Sequence, residues 1–329
     1  MRHVAANALT LLILLVLGLA VVAGWGASQW RGEGPLEAPA EVAIPRGASI
    51  ERASGILEEA GAISDARIFR LGARYSGLDR RIQAGEFAIP PGTSMRDVLR
   101  CLVDQSTCRR VTYPITVVEG MTVWEAVEAL RDAEVLTGEI EAVPPEGTLA
   151  PDTYAVTRGD SRAEVLARMK AEQAERLAEA WAARAPDLPI STPEEALILA
   201  SIIEKETALP EERETIAGVF VNRLRRGMRL QTDPTVIYGI TEGKGPLGRG
   251  LRRSELDRRT PWNTYRIDGL PPTPIANPGL ASLMAAVRPE ATDHVFFVAD
   301  GTGGHVFAET YAEHQRNVAA WRRIEAERN

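Results

Sequence analysis

The 329-residue chain is poor in the residues that hold metals: two cysteines, four histidines, no C-x-x-C and no H-E-x-x-H. That argues against zinc chemistry. It has no G-x-x-x-x-G-K-[ST] and no G-x-S-x-G, which excludes P-loop ATPases and serine α/β-hydrolases. It also lacks an excess of positive charge. Lys and Arg number 38 against 45 Asp and Glu, a net charge of −7 and a pI near 5.4. A whole-chain basic footprint for nucleic acid is therefore missing. The remaining composition, 45% apolar and 25% charged, is that of a globular protein of one large or two medium domains.

Charge is also missing from the run Ala8 to Trp25 (ALTLLILLVLGLAVVAGW). At ~1.5 Å per residue such a helix nearly crosses a ~30 Å hydrocarbon core. Arg2 precedes it, so the positive-inside rule leaves residues 1–7 in the cytoplasm and exports the rest. The competing reading is a cleaved signal peptide, with small residues at Gly24 to Ala27. An uncleaved anchor is preferred: the run is long for a signal peptide and no clean A-x-A follows. Residues 26–40, ending in GEGPLEAPA, read as a linker. Six residues separate Cys101 from Cys108, which permits a small disulfide loop in an exported chain or two unpaired thiols.

Three segments then repeat a strand–turn–helix pattern. Ile44 to Ile50, Ile89 to Met95 and Val117 to Val123 each turn at a glycine and reach Ser49, Ser94 or Thr122 in an N-cap position. Glu125 adds a capping-box partner for Thr122. The pattern resembles a LysM-like glycan-binding module, although strand–turn–helix units are common without one. Ser161 to Arg184 reads as a long helix rich in Ala, Glu and Arg, its charge a solvated face, ended by Pro186 and Pro189.

The sharpest chemistry lies in the helix that begins at Ser191-Thr192-Pro193-Glu194-Glu195. Thr192 is its cap and Glu195 closes a capping box. At 100° per residue Glu206 falls on the stripe of Leu199, Ile202 and Ile203, and Glu204 on the opposite side with Leu197 and Ala200. A carboxyl in apolar surroundings resists ionisation. It can then act as a general acid at a glycosidic oxygen, or simply form a buried ion pair. Glu204 and Lys205 read as surface groups. Downstream, Gln231-Thr-Asp233-Pro, Pro261 to Tyr265 and Gly269 to Gly279 are rigid loops whose aromatic and amide side chains suit a sugar. Val295 to Val298 reads as a buried strand, Asp300 to Gly304 as a tight turn, and His305 and His314 as structural. Arginines cluster at Arg223 to Arg229 and Arg249 to Arg259, as solvated groups or as contacts for anionic stem peptides or phospholipid heads.

Taken together, Ala200-Ser-Ile-Ile-Glu-Lys-Glu206-Thr, Val219-Phe-Val-Asn222-Arg-Leu, Arg229-Leu-Gln231-Thr-Asp233-Pro-Thr-Val-Ile-Tyr238-Gly, Asn263-Thr-Tyr265, Gly269-Leu-Pro-Pro and Phe297-Val-Ala-Asp-Gly-Thr-Gly-Gly-His305 resemble the YceG-like endolytic murein transglycosylases. Glu146-Gly-Thr-Leu-Ala-Pro-Asp152-Thr-Tyr154 resembles a further segment of that family, with Leu149-Ala150 replacing a more aromatic pair. Trp262 stands where a tyrosine is usual. The resemblance covers nearly the whole chain. It implies an inner-membrane enzyme with a periplasmic catalytic domain and no cofactor or metal. Such an enzyme cuts the bond between N-acetylmuramic acid and N-acetylglucosamine within nascent peptidoglycan, leaves 1,6-anhydro ends and so terminates strand elongation. Cell-wall synthases of the same membrane are the expected protein partners. The resemblance places the catalytic glutamate at Glu206. Gln231, Asp233, Asn263, Tyr265, Glu204, Asp152 and Tyr154 are inferred to bind substrate. A lysozyme-type hydrolase with Asp233 or Asp152 as second carboxylate, and a non-catalytic glycan-binding scaffold, are the alternatives. The expected fold is α+β: an anchor at 8–25, a LysM-like module at 41–110 and a larger mixed domain at 111–329.

Overall fold

The computed structural model describes residues 2–328 and the side chains of 9–327, so the tail at 1–7, with Arg2, lies outside the described side chains. The architecture is α+β. The chain divides into two compact units, Met1–Tyr113 with Ala155–Gly159, and Pro114–Tyr154 with Asp160–Asn329.

The first unit opens with α1 (Arg2–Arg31). Its stretch Leu9–Arg31 has a mean hydropathy of 2.5, is unburied, and is long and apolar enough to cross a membrane. The helix outlasts the apolar run because Gln29 and Trp30 find partners. Ser64 donates to Gln29 at 3.2 Å. The Trp30 ring lies 6.1 Å from that of Phe69. The residues after the helix are not a free linker either: Gly34 N–H donates to Gly92 O and Gly92 N–H to Leu36 O.

Strand β1 (Ala40–Ile44) leads to α2 (Ile50–Glu59) and α3 (Ala66–Tyr75), then β2 (Gly85–Ile89), α4 (Met95–Asp104) and β3 (Arg109–Arg110). β1 and β3 flank β2, with β1 antiparallel to it from Ala40↔Ile89 to Ile44↔Gly85. Alternation puts Val42, Ile44, Phe87 and Ile89 on the buried face, against Leu57, Phe69, Leu99 and Leu102 of the helices. Ser49 and Ser94 accept from the backbone as caps of α2 and α4, and Asp65 caps α3. Cys101 and Cys108 are joined, with Cα atoms 5.2 Å apart.

The chain passes between the units within β4 (Tyr113–Val117) and β5 (Asp152–Val156). Between them, α5 (Val123–Asp132) carries the Thr122–Glu125 capping box. Then follow α6 (Arg162–Ala182), α7 (Pro193–Glu206), a short 3₁₀ turn at Pro210–Glu212, α8 (Arg213–Arg225), α9 (Asp233–Thr241), α10 (Arg253–Asp257) and α11 (Leu280–Val287). A hairpin, β6 (Phe296–Ala299) and β7 (His305–Ala308), precedes α12 (Tyr311–Arg328). The expected buried strand at 295–298 is a half-buried hairpin strand instead, because its sheet has only two strands.

The core of this unit forms around α7, where every residue from Ala196 to Ile203 is buried. α6, α8, α9 and α11 pack against it from different sides. Both faces of α7 are therefore buried along its middle, and its charged residues are confined to the first and last turns.

Candidate active site

The start of α7 is fixed by its cap. Thr192 accepts from Glu195 N–H at 3.2 Å. The Glu195 carboxylate reaches back one residue further than a capping box requires, to Ser191 N–H at 2.5 Å. The helix is then held by its core and delivers Glu204, Lys205 and Glu206 at its carboxyl end. Free carbonyls collect there, and the helix dipole opposes negative charge.

Glu206 retains some exposed surface, but its carboxyl is packed deeply. Burial raises its pKa above the ordinary value of 4.5. The Thr232 hydroxyl and the charges of His305 and Arg223 work against that rise, and Asp233 works with it. Thr232 Oγ1 donates to Glu206 Oε2 at 2.5 Å. Thr232 is placed by the loop beside it: its N–H donates to Thr264 Oγ1 at 3.0 Å, and Thr235 meets the same hydroxyl at 2.9 Å. Gln231, with φ of 48°, makes the left-handed turn that brings the chain into this position. Asp233 begins α9 and accepts from the Tyr265 hydroxyl at 2.7 Å. Burial and that carboxylate push the Tyr265 pKa up, so its proton stays in place.

Two further groups frame the carboxyl. Arg223 is buried, donating to Val295 O at 2.7 Å and Leu230 O at 2.5 Å. Only Arg225, Arg226 and Arg229 of the predicted cluster are exposed. Glu212 accepts from His305 N–H at 2.7 Å, meets its Nδ1 at 2.7 Å, and accepts from Thr207 Oγ1 at 3.3 Å. It thereby ties the hairpin to the end of α7.

Glu204 is not a surface group. Its side chain is 6% exposed, 3.9 Å from Arg213. It accepts from Gly279 N–H at 2.9 Å. Beside it a cavity of about 370 Å³ is lined by Val118 to Gly120, Glu204 to Ala208 and Arg213. A second, of about 400 Å³, lies between Thr122, Glu125, Tyr238 and the glycine-rich Gly243 to Arg249. Lys205 lines both and donates to Gly120 O at 3.1 Å. Volumes of this size suit small-molecule or sugar sites. The arrangement offers a deeply packed carboxyl whose pKa burial raises, beside open space and with hydroxyl and charged groups around it, which is the equipment of general acid catalysis.

The YceG-like family model matches residues 42–320. The chain belongs to the YceG-like family. Similar proteins include the endolytic murein transglycosylase of Bacillus subtilis, 29% identical, with 83% of this chain and 82% of that protein covered. The endolytic murein transglycosylase of Streptococcus pneumoniae (strain D39) is 28% identical; the match covers 84% of this chain and 57% of that longer protein. A 2.6 Å crystal structure of a YceG-like protein from Listeria monocytogenes superposes with a TM-score of 0.51 at 28% identity, covering 84% of this chain and 98% of that one.

In this YceG-like chain the inferred substrate residues separate into two groups. Asp233, Tyr265 and Gln231 stand on the loops around Thr232, and Gln231 and Asp233 are exposed. Asn263 is fully buried, and its amide donates to the carbonyls of Glu255, Leu256 and Arg258. It holds the loop in shape and has no free donor for a sugar. Tyr154 is buried, with its hydroxyl on Ala150 O and Glu172. Asp152 pairs with Arg176 at 2.9 Å, and among the described residues no contact joins it to Glu206. Thr232, Glu212 and Arg223 were not singled out from the sequence as parts of the site. Their roles depend on contacts 7 to 93 positions away, beyond any local pattern. Glu146 was likewise unmarked. It is a second carboxyl with a raised pKa, half-buried, accepting from the Tyr238 hydroxyl at 3.2 Å and from Val123 N–H at 2.7 Å.

Proposed function

We propose that this protein is an endolytic peptidoglycan lytic transglycosylase. The carrying observation is Glu206, a carboxyl packed deeply at the end of α7, its pKa raised by burial, that lines a cavity. The relatives named endolytic murein transglycosylase support the same reading. A glycan strand lies along the two cavities on either side of Lys205, with the bond between N-acetylmuramic acid and N-acetylglucosamine at Glu206. Glu206 gives its proton to the glycosidic oxygen, and the C1–O bond breaks. The resulting oxocarbenium-like centre is stabilised by Asp233, with Tyr265 holding that carboxylate. The 6-hydroxyl of the muramyl ring then attacks C1 and returns its proton to Glu206, so a 1,6-anhydro end forms and no water is consumed. One carboxylate suffices for both halves, where hydrolases of this bond use two.

The rest of the reading follows from the family. The apolar α1 anchors the chain in the inner membrane with the catalytic unit in the periplasm. Cutting nascent strands there ends their elongation beside the synthases that make them. The strand–helix–helix–strand order of residues 40–89 supports a LysM-like module at 41–110, ahead of a catalytic domain at 111–329. A hydrolytic second reading draws on Asp233, whose charge acts on Glu206.

Product analysis decides between them. Full-length protein and Glu206→Gln are incubated with uncrosslinked glycan strands, and the fragments are weighed. Anhydro ends from the wild type and none from the variant are expected. Fragments heavier by one water show a hydrolase. Binding without cleavage by the wild type shows a scaffold.

A further inference from the structure

Helix α3 reads ARIFRLGARY and contains three arginines and no acidic residue. One face, Ala66, Phe69 and Ala73, enters the core of the first unit. The opposite face presents Arg67, Leu71, Arg74 and Tyr75. Leu71 is 66% exposed and Tyr75 98%. Arg74 pairs with Glu51 at 2.8 Å, but both side chains are more than half exposed, so the pair is weak.

This face is fixed beside the end of the apolar helix. Gly72 lies so close to Trp30 that a Cβ there would fall 2.5 Å from the ring. The Trp30 ring also meets that of Phe69 in a tilted contact, and Gln29 is bound by Ser64. The strongly apolar run ends at Trp25, and Gly26 to Gln29 are small or polar, with the first charge at Arg31. Trp30 is five residues further, ~7–8 Å along the axis. The headgroup layer of each leaflet is about 5–8 Å deep. The contact with α3 therefore sits at headgroup level wherever α1 crosses a bilayer.

We propose that the Arg67–Leu71–Arg74–Tyr75 face of α3 is a membrane-surface contact, seated on the anionic lipid headgroups around the exit of α1. Tyr75 and Leu71 enter the boundary between headgroup and acyl chain, where an amphipathic ring is favoured. Arg67 and Arg74 donate to lipid phosphates, which accept from a guanidinium at two oxygens together. Two attachments, the span and this face, then set the tilt of the first unit against the bilayer. The proposal rests on the reading of α1 as an uncleaved anchor.

The test uses the full chain in nanodiscs of phosphatidylglycerol and phosphatidylcholine. The native cysteines are joined, so a single introduced thiol takes a nitroxide. Labels are placed at Leu71→Cys or Val16→Cys. Collisions are measured with oxygen, with a soluble nickel chelate and with a nickel chelate carried on a lipid headgroup. The expected result is a residue-16 label in the hydrocarbon and a residue-71 label relaxed several-fold more by the lipid-borne chelate than by the soluble one. Arg67→Glu with Arg74→Glu is expected to reverse that preference. A residue-16 label in the hydrocarbon with a residue-71 label freely open to the soluble chelate overturns the surface contact alone. A residue-16 label in water overturns the anchor, and the contact with it.

Discussion

Replacing Thr232 by valine tests the acid directly. Valine keeps the shape of the side chain and removes the hydroxyl that donates to Glu206 at 2.5 Å. Thr232 is 2% exposed, so bulk water does not restore the bond. A hydrogen bond to a charged group contributes about 1.5–3 kcal/mol. At 1.36 kcal/mol per tenfold, its loss moves the ratio of protonated to ionised Glu206 about ten- to a hundredfold toward the acid. The bond favours the anion, so removing it adds to the rise that burial already causes. The alkaline limb of the kcat/KM profile, where the acid is lost, moves to higher pH. The assay is the rate of anhydro-end formation from uncrosslinked strands across the pH range. Thr235→Val serves as the control: that hydroxyl bonds Thr232 O and faces Thr264, not Glu206. A limb that stays in place in Thr232→Val, or moves to lower pH, refutes the assignment of Glu206 as the acid.

Glu206→Gln is expected to abolish cleavage by at least 10²-fold while raising Tm at pH 7. The folded-state pKa of Glu206 lies above its unfolded value. The stability from binding that proton is complete below the unfolded pKa and is lost as pH rises through the folded one. Thermal scans at pH 4 and pH 7 check that the advantage of Gln appears only at the higher pH. Glu212→Ala frees His305 and Thr207; a loss of about 2–3 kcal/mol in denaturant unfolding and a drop in kcat larger than the change in KM are expected. Asn263→Ala takes its amide donor from the carbonyls of Glu255, Leu256 and Arg258, of which the first two keep a second donor in Arg258 N–H and Arg266; a cost of about 1–3 kcal/mol is expected, read as a lower midpoint in urea. Cys101→Ser with Cys108→Ser opens a loop of sequence separation 7. About 2–3 kcal/mol is expected from chain entropy, seen as lower protection from hydrogen exchange in the first unit and unchanged cleavage by the second.

Local rules were legible wherever the deciding partner is close in sequence. Ser49, Ser94 and Thr122 cap their helices as the residue pattern requires, because the acceptor and the amide it serves are three positions apart. The apolar setting of Glu206 was legible from helical spacing. The burial of Glu204 was not, because its cover comes from Gly279 and Arg213, and no rotation about one helix axis reveals what packs against the far side. Asn263 shows the same limit. An amide in a Pro-rich loop reads equally as a sugar ligand or a loop clamp, and only the three carbonyls converging on it decide. Glu206 and Thr232 are 26 residues apart, so their bond had no local signature.

The Thr122 hydroxyl accepts from Glu125 N–H to start α5 and donates to Gly243 O in the glycine-rich wall of the second cavity. One oxygen thus closes two structures 121 positions apart. Neither can open alone without breaking the same group's bonds, so fraying of α5 and loosening of that wall become a single cooperative event. Amide exchange at the two places would then share one opening rate, and a strand threading past the wall would be felt at the helix start.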